Sequence, residues 1–419
     1  MGTLLLMLPF SSNAKGGASF GDSLFTAVSS VCVTGLVVQD TATYWSSFGQ
    51  AVILILIQIG GMGIITVAAA FSLLAGKRIG LVQRSTMQEA ISAPNVGGIV
   101  RLTGLILKLI FAFELLGAAI MAPIFCKDFG IAKGIWYSVF HSVSAFCNAG
   151  FDLMGSKGKY SSLTYYSENP IIIITVVMLI LIGGIGFLTW DDIRKNKFSF
   201  RKYRMQSKVI LVFSAFIIVL PFLYFFFFEF EEMSIGNRIL TSMFQAVTPR
   251  TAGFNTVDAS QLSETGNALV IILMLIGGAP GSTAGGMKIT TVAILLSCAA
   301  SVFGHRDDSH YFGRRISHSV ERSAVTVASM YLMFMTVGAL IISRLENVSV
   351  LASFYETASA ICTVGLTTGI TPMLGTLSKC ILIVLMFTGR VGGLTLVFAA
   401  FTNNSARSVK LPQEHITAG

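Results

Sequence analysis

The stretch SAICTVGLTTG (359–369) places a small-residue turn, Thr363-Val364-Gly365, directly after a short apolar segment. One such turn is unremarkable, because glycine adopts backbone conformations that other residues avoid. The arrangement recurs as SSVCVTGLVVQD (29–40), SAFCNAGFD (144–152) and TPRTAGFNTVD (248–258). The shared glycines are Gly35, Gly150, Gly253 and Gly365, separated by 115, 103 and 112 residues. Four copies spread along the chain predict a fold built from internal repeats.

The composition places these repeats in a membrane. The chain has 419 residues, of which 53% are hydrophobic and only 12% are charged, whereas soluble domains carry about 25% charged residues. The runs at 51–76 and 170–190 exceed the roughly 20 apolar residues needed to cross a bilayer. The chain is therefore expected to be a multi-pass membrane protein. Its six cysteines lie in or beside apolar runs and show no metal-binding spacing, so disulfides are not expected.

Each turn has similar flanks. A stretch of about a dozen residues containing an aromatic precedes it, and a glycine cluster within an apolar run follows. The clusters are Gly60-Gly61, Gly183-Gly184, Gly277-Gly278 and Gly389 with Gly392-Gly393. Each unit is predicted to be a helix, a re-entrant half-helix, a turn and a second helix. The expected fold is all-α, with four fused helix–pore-loop–helix units around one pore, eight transmembrane helices and four half-helices.

The expected unit boundaries follow the basic linkers. The first unit is residues 1–76, with an incomplete first helix at MGTLLLMLPF, and the second is 77–190 with a preceding cytoplasmic linker. The third is 191–303, and the fourth, with a C-terminal tail, is 304–419. Most of the net charge of +9 is expected in short loops, and segments 76–84 and 191–208 are basic. The positive-inside rule makes them cytoplasmic, so the turns open outward and both termini lie inside.

The turns suit a dehydrated cation. Irregular backbone at membrane depth must lie inside protein or along a water-filled path. Each half-helix would direct its negative C-terminal end at the common axis, and rings of carbonyls can replace the water around a cation. No carboxylate lies in the turns, which favours potassium over a divalent ion. The alternative is that the glycines serve only close helix packing. The predicted potassium-binding filter residues are Val33, Thr34, Gly35, Asn148, Ala149, Gly150, Thr251, Ala252, Gly253, Thr363, Val364 and Gly365.

On these four turns the chain resembles the Trk/Ktr/HKT superfamily of potassium transporters, whose members have one filter glycine per unit. It is most similar to the KtrB-like membrane subunit of a bacterial Ktr potassium-uptake system, because the two additional helices usual in Trk-type subunits are not visible ahead of the first unit. The resemblance implies potassium selectivity, since Gly35 stands where a serine accompanies sodium transport in plant members. It also implies a homodimer in the bacterial plasma membrane. A cytosolic RCK-type (KtrA-like) ring would bind ATP or ADP, and the chain itself has no Rossmann or P-loop motif.

The third unit contains GGAPGSTAGG (277–286), which cannot form a regular helix. We expect this segment to obstruct the pore below the filter and to move on activation, as the intramembrane loop of Ktr and Trk members does. A static kink is the alternative. Arg390, at a comparable depth in the fourth unit, is expected to bind the loop, although a structural ion pair or a snorkelling arginine would also explain it. The predicted gating residues are Gly277, Gly278, Pro280, Gly281, Ser282, Thr283, Gly285, Gly286, Lys288 and Arg390.

Other charges have less defined roles. Arg250 adjoins the third turn, and Glu356 on the next half-helix is one acid that could brace it. Glu114 and Lys108 are six residues apart on one helix, so they are expected on different faces. Lys288 would anchor the broken segment or mark the cytoplasmic boundary.

The sequence bears on two other classes of function and on one alternative within the same superfamily. A secondary transporter with inverted repeats would show two related halves rather than four units. A membrane enzyme is not expected, because four of the five histidines lie in predicted cytoplasmic segments and no facing pair could ligate haem iron. The nearer alternative is a sodium-conducting or sodium-coupled member of the same superfamily, and the sequence does not choose between channel-like and sodium-coupled transport.

Overall fold

The computed structural model describes residues 1–14, 16–63, 80, 84–85, 87–88, 97–197 and 199–391. Helices dominate, and a short antiparallel pair, β1 (His310–Tyr311) and β2 (Arg314–Arg315), forms a hairpin between the third and fourth units. The helices are α1 (Gly2–Leu6), α2 (Phe20–Val31), α3 (Ser47–Met62), α4 (Ile99–Phe129), α5 (Ile131–Phe146), α6 (Pro170–Gly184), α7 (Phe187–Asn196), α8 (Met205–Tyr224), α9 (Ile235–Val247), α10 (Glu264–Leu275), α11 (Ile289–Phe303), α12 (His318–Glu346), α13 (Val350–Ile361) and α14 (Thr376–Val391).

The four predicted half-helices are α2, α5, α9 and α13, which have 12, 16, 13 and 12 residues. At 1.5 Å per residue none can cross the roughly 30 Å hydrocarbon core. Each follows the first helix of its unit and ends just before a turn. The repeated helix–half-helix–turn–helix order is thereby confirmed.

Three continuous helices in the described residues are long and apolar enough to span a membrane: α4, α12, and α8 extended by one π-helical turn to Glu229. These are the first helices of the second, fourth and third units. The helices α6 and α7 meet the same criteria of length and hydropathy only when they are taken together as one bent pair. The second helix of the first unit, α3, is apolar but shorter and ends before Gly63, and that of the third unit, α10, ends before the break that begins at Ile276.

The second helix is broken in more than one unit. The sequence predicts an irregular segment in the third unit, which is non-helical from Ile276 to Lys288. In the second unit, α6 and α7 are bent by 96° at a two-residue break. Gly186 at this break has a φ of +86°, a value that favours glycine. Residue 190, where the boundary between the second and third units was expected, therefore lies inside α7.

Buried apolar residues form two large clusters. One joins the first and second units and includes Phe244 and Phe254 of the third. The other joins the third and fourth units and includes Phe25 and Leu36 of the first. Because the first and third units contribute to both clusters, the packing continues around the molecule.

Several expected features lie outside the described residues. They are most of the linker at 64–96, the pair Gly392-Gly393 and the C-terminal tail.

Candidate functional site

The four turns meet one another in chain order. A β-carbon built on Gly35 would collide with the carbonyl oxygen of Ala149, and one on Gly150 would lie 2.9 Å from the carbonyl oxygen of Ala252. A β-carbon on Gly253 would collide with the Val364 carbonyl oxygen. The circle closes where a β-carbon on Gly365 would meet the Thr34 carbonyl oxygen. Each glycine thus faces the carbonyl that precedes the glycine of the next unit.

The turn backbones share an unusual conformation. The four glycines have φ values of +89°, +68°, +74° and +92° in chain order. Two residues before each glycine, Val33, Asn148, Thr251 and Thr363 also have positive φ, between +50° and +67°. Three of these four are β-branched, and a β-branched residue in this region is a strained outlier of the kind found at functional sites. Close packing of helices does not require positive φ at these positions. A common direction of the four turn backbones does require it.

A hydroxyl at the end of each half-helix holds the turn. The Ser29 Oγ accepts from the Gly35 N–H at 3.1 Å and donates to the Leu36 carbonyl at 2.7 Å. Ser144 Oγ donates to the Phe151 carbonyl at 2.7 Å, and Thr248 Oγ1 to the Phe254 carbonyl at 2.6 Å. In the fourth unit, Ser359 Oγ accepts from the Gly365 N–H at 3.0 Å. These hydroxyls were not among the predicted site residues, although each of the four motifs begins with one of them.

Polar side chains of the turns are buried without partners. Thr34, Asn148, Thr251 and Thr363 are each at most 1% exposed. Their hydroxyl or amide atoms make no hydrogen bond within the described structure. Buried polar atoms are nearly always satisfied by protein or water, and each exception calls for a ligand or a specific role. Each of the four turns therefore carries a buried polar side chain that a bound ion or water would satisfy.

The second-helix glycines allow close approach to the half-helices. A β-carbon on Gly60, Gly183 or Gly389 would collide with the carbonyl oxygen of the last residue of the half-helix in its own unit. Those terminal carbonyls are the negative ends of the helix dipoles, and they lie just before the turns. The packing explanation therefore fits these clusters, while the turn glycines are explained by their positive φ.

The broken segments of the second and third units pair with each other. In the intramembrane loop (276–288), the Ala279 N–H donates to the Gly184 carbonyl at 2.9 Å, and the Thr283 N–H to the Gly183 carbonyl at 3.2 Å. In return, the Phe187 N–H donates to the Gly281 carbonyl at 2.7 Å. The end of α6 and the start of α7 thus exchange bonds with the loop. Irregular backbone at membrane depth requires this kind of internal satisfaction.

The intramembrane loop contacts the fourth turn. A β-carbon on Gly285 would collide with the Thr363 hydroxyl, and one on Gly286, at φ +65°, would lie 2.8 Å from the Cys362 carbonyl oxygen. Lys288 folds back on the loop, with Nζ 2.7 Å from the Ala284 carbonyl oxygen. Among the predicted gating residues, Ser282 donates to the Ala279 carbonyl within the loop at 2.6 Å.

Arg390 connects three units. It lies on α14 of the fourth unit, and its guanidinium donates to the Thr283 carbonyl at 2.8 Å. The same guanidinium donates to the Gly60 carbonyl at the end of α3. The structure thus brings Arg390 onto the loop, as the sequence predicts, and neither of these partners is an acid.

The suggested pairing of Arg250 with Glu356 is wrong. Arg250 donates to Ser214 Oγ at 3.0 Å, while the Glu356 carboxylate accepts from Thr367 Oγ1 at 2.6 Å and from the Thr368 N–H at 3.0 Å. The threonines that follow the fourth turn satisfy this carboxylate, so it needs no cation from the neighbouring unit.

Glu114 and Lys108 do lie on different faces, as expected. Glu114 is buried and accepts from Gln58 Nε2 at 3.0 Å, whereas Lys108 is exposed. The carboxylate of Glu114 therefore has an amide partner from the first unit.

The four turns form a closed ring of contacts, and the long apolar helices around them are those of an integral membrane protein. A model of the TrkH family, described as "Cation transport protein", matches residues 2–411. The chain belongs to this family of cation transport proteins, and it is not an enzyme.

Curated relatives match over nearly their whole length. The "Potassium/sodium uptake protein NtpJ" of Enterococcus hirae is 38% identical over 100% of this chain and 94% of its own. The "Ktr system potassium uptake protein B" of Bacillus subtilis is 36% identical over the same shares of the two chains. The crystal structure of the potassium transporter TrkH from Vibrio parahaemolyticus matches 92% of this chain and 79% of its own, with a TM-score of 0.72 and 19% identity. At 19% identity, the likeness to the TrkH structure shows a shared fold only.

Proposed function

We propose that the chain is the ion-translocating membrane subunit of a bacterial potassium-uptake system and conducts potassium through a channel-like pore. The observation that carries this proposal is the closed ring of contacts in which each turn glycine meets the carbonyl of the next unit. Four backbone carbonyls at Thr34, Ala149, Ala252 and Val364 can then replace the hydration shell of one cation.

Selectivity would rest on backbone oxygen. The ring contains no carboxylate, so it offers partial charges suited to a monovalent ion rather than full charges suited to a divalent one. The unpartnered hydroxyls of Thr251 and Thr363 would contact the ion, or the water that remains bound to it, next to the ring of carbonyls. The similar positive φ values of the four turns support a similar orientation of these carbonyls.

The intramembrane loop would close the pore below this ring. Its contacts with the fourth turn, at Gly285 and Gly286, support this role. Arg390 would hold the closed position through the Thr283 carbonyl, and its positive charge would repel a resting cation. Opening would then require the loop to leave both Arg390 and the end of α6.

The control of this gate would come from outside the chain. One relative is named as part of a Ktr system, which supports a multi-component assembly. We propose a homodimer with one pore per protomer, docked on a cytosolic RCK-type ring of KtrA-like subunits. ATP or ADP would act only through that ring, because the chain carries no nucleotide-binding motif.

Complementation tests the proposal. The chain should restore growth of a potassium-uptake-deficient bacterium at low external potassium, with and without a candidate ring subunit in parallel. Rescue in either strain supports the proposal, and a difference between the strains measures the ring's contribution. A correctly inserted protein that rescues neither strain contradicts it.

A sodium-conducting or sodium-coupled transporter is the second candidate, because one relative is named a potassium/sodium uptake protein. Gly35→Ser separates the two. Its β-carbon would displace the Ala149 carbonyl, so a potassium-selective ring should lose selectivity and admit sodium. Sodium uptake by the unaltered chain equal to its potassium uptake would favour the alternative.

A further inference from the structure

A cavity of about 500 Å³ opens beside the last turn of α7, which is basic. It is formed by the start of α4, by α7 and by the segment leading into α8. Four cationic side chains and one carboxylate line it: Arg101, Arg194, Lys195, Arg204 and Asp191. The pore, the turns and the intramembrane loop contribute no residue to it.

Buried carboxylates position part of this basic set. Asp191 lies 2.7 Å from Lys195 Nζ and 3.3 Å from an Arg204 guanidinium nitrogen. Asp192 is not a lining residue, and its carboxylate accepts from the backbone N–H of Arg204 at 3.1 Å and from Ser207 Oγ at 2.7 Å. Both carboxylates are thereby engaged, and one guanidinium nitrogen of Arg204 is buried with no hydrogen-bond partner.

Two arginines of the cavity carry no partner in the part of the chain that the structure describes. Arg101 lies in the first turn of α4, and Arg194 lies in the last turn of α7. Both are exposed. Their planar guanidinium groups remain available to a multiply charged oxyanion such as a phosphate, which arginine binds in a bidentate manner.

The start of α4 adds donors to the same cavity. The helix has 31 residues, its N-cap is Gly98 at φ +78°, and no side chain caps it. Its first turn contains no acidic residue. The first backbone N–H groups of such a helix are free to bind an anion, and the dipole favours negative charge at this end.

We propose that this basic cavity binds the phosphate group of an anionic ligand. The helix start and the paired arginines supply the donors that a phosphate ester requires. Apolar side chains of Ile99, Leu102, Leu105 and Leu188 line the same cavity, so a phospholipid headgroup with its glycerol and first acyl carbons would fit, as would a soluble phosphate.

Binding to the purified full-length protein tests the proposal. Short-chain phosphatidylglycerol, phosphatidylcholine of equal chain length and inorganic phosphate would each be titrated while thermal unfolding is followed. Removing two cations with Arg101→Gln plus Arg194→Gln should weaken binding of the anionic ligand about 25-fold, taking about fivefold for each charge. The charge-conserving pair Arg101→Lys plus Arg194→Lys should restore most of that affinity.

A matched control removes the same charge elsewhere on this face. Arg201→Gln plus Lys202→Gln lies outside the cavity and should leave the affinities unchanged. Phosphatidylglycerol binding that depends on Arg101 and Arg194 identifies a lipid site, and inorganic phosphate binding with that dependence identifies a soluble-phosphate site. Equal affinities of the unaltered and double-glutamine proteins for both anions would overturn the proposal. The proposal would also be overturned if the double-glutamine protein bound both anions normally but no longer bound the ring subunit. The cavity would then be a protein docking site.

Discussion

Replacing Arg390 by glutamine removes the guanidinium that joins the fourth unit to the intramembrane loop and to α3. The guanidinium donates to the Thr283 carbonyl at 2.8 Å and to the Gly60 carbonyl. A hydrogen bond to a charged group contributes about 1.5–3 kcal/mol. Glutamine is shorter and uncharged, so we count the loss of one such bond. The closed position of the loop is then destabilised by the free energy of that one bond.

In a two-state gate, weakening the closed state by about 1.5–3 kcal/mol raises the open-to-closed ratio about 10- to 150-fold. We therefore expect Arg390→Gln to raise rubidium uptake by at least tenfold in proteoliposomes that contain no regulatory subunit. The matched control is Arg344→Gln, which removes an exposed arginine near the end of α12. Its uptake should equal that of the unaltered protein.

The refuting result for Arg390 is specific. The variant must insert and elute from size-exclusion chromatography like the unaltered protein. Unchanged rubidium uptake in that material, with and without a ring subunit, would show that Arg390 does not hold a gate. The arginine would then serve only to tie α14 to its neighbours.

Three further perturbations test the ring and the loop. Gly253→Ala should reduce potassium uptake at least tenfold, because the β-carbon meets the Val364 carbonyl. Gly236→Ala has open space around it and should transport normally. An equal loss of uptake in both variants would contradict the ring. Ser29→Ala should lower the potassium-to-sodium uptake ratio, since two backbone groups lose their partner at about 1–3 kcal/mol each. Ser30→Ala removes only a bond within the helix to the Thr26 carbonyl and should keep the ratio; identical ratios in the two variants would oppose the role of the hydroxyl. Deleting 279–284 should raise uncontrolled rubidium flux, and flux that remains regulated would indicate a static kink.

The repeated architecture was predictable because its signals are local. A glycine after a short apolar stretch recurs four times, and the composition requires a membrane. The interruption at 276–288 was predictable for the same reason, since glycine and proline cannot continue a helix there.

Features that depend on contacts between distant units were missed. The break after α6 was not predicted, because glycines are tolerated in membrane helices and its carbonyls are satisfied by a loop about 95 residues further along. The partner of Glu356 was misassigned for a similar reason: charge suggested an arginine, but the nearby threonines already satisfy the carboxylate. The positive φ of Val33 contradicts its local preference and is imposed by the ring.

We propose that the four turns together form one binding site for a monovalent cation. Crystals of the unaltered protein grown in rubidium salts would locate that cation by anomalous scattering. We expect a density peak on the axis among the carbonyls of Thr34, Ala149, Ala252 and Val364, and loss of that peak in Gly253→Ala. Ordered turns without anomalous density between them, at a rubidium concentration that supports uptake, would contradict the claim.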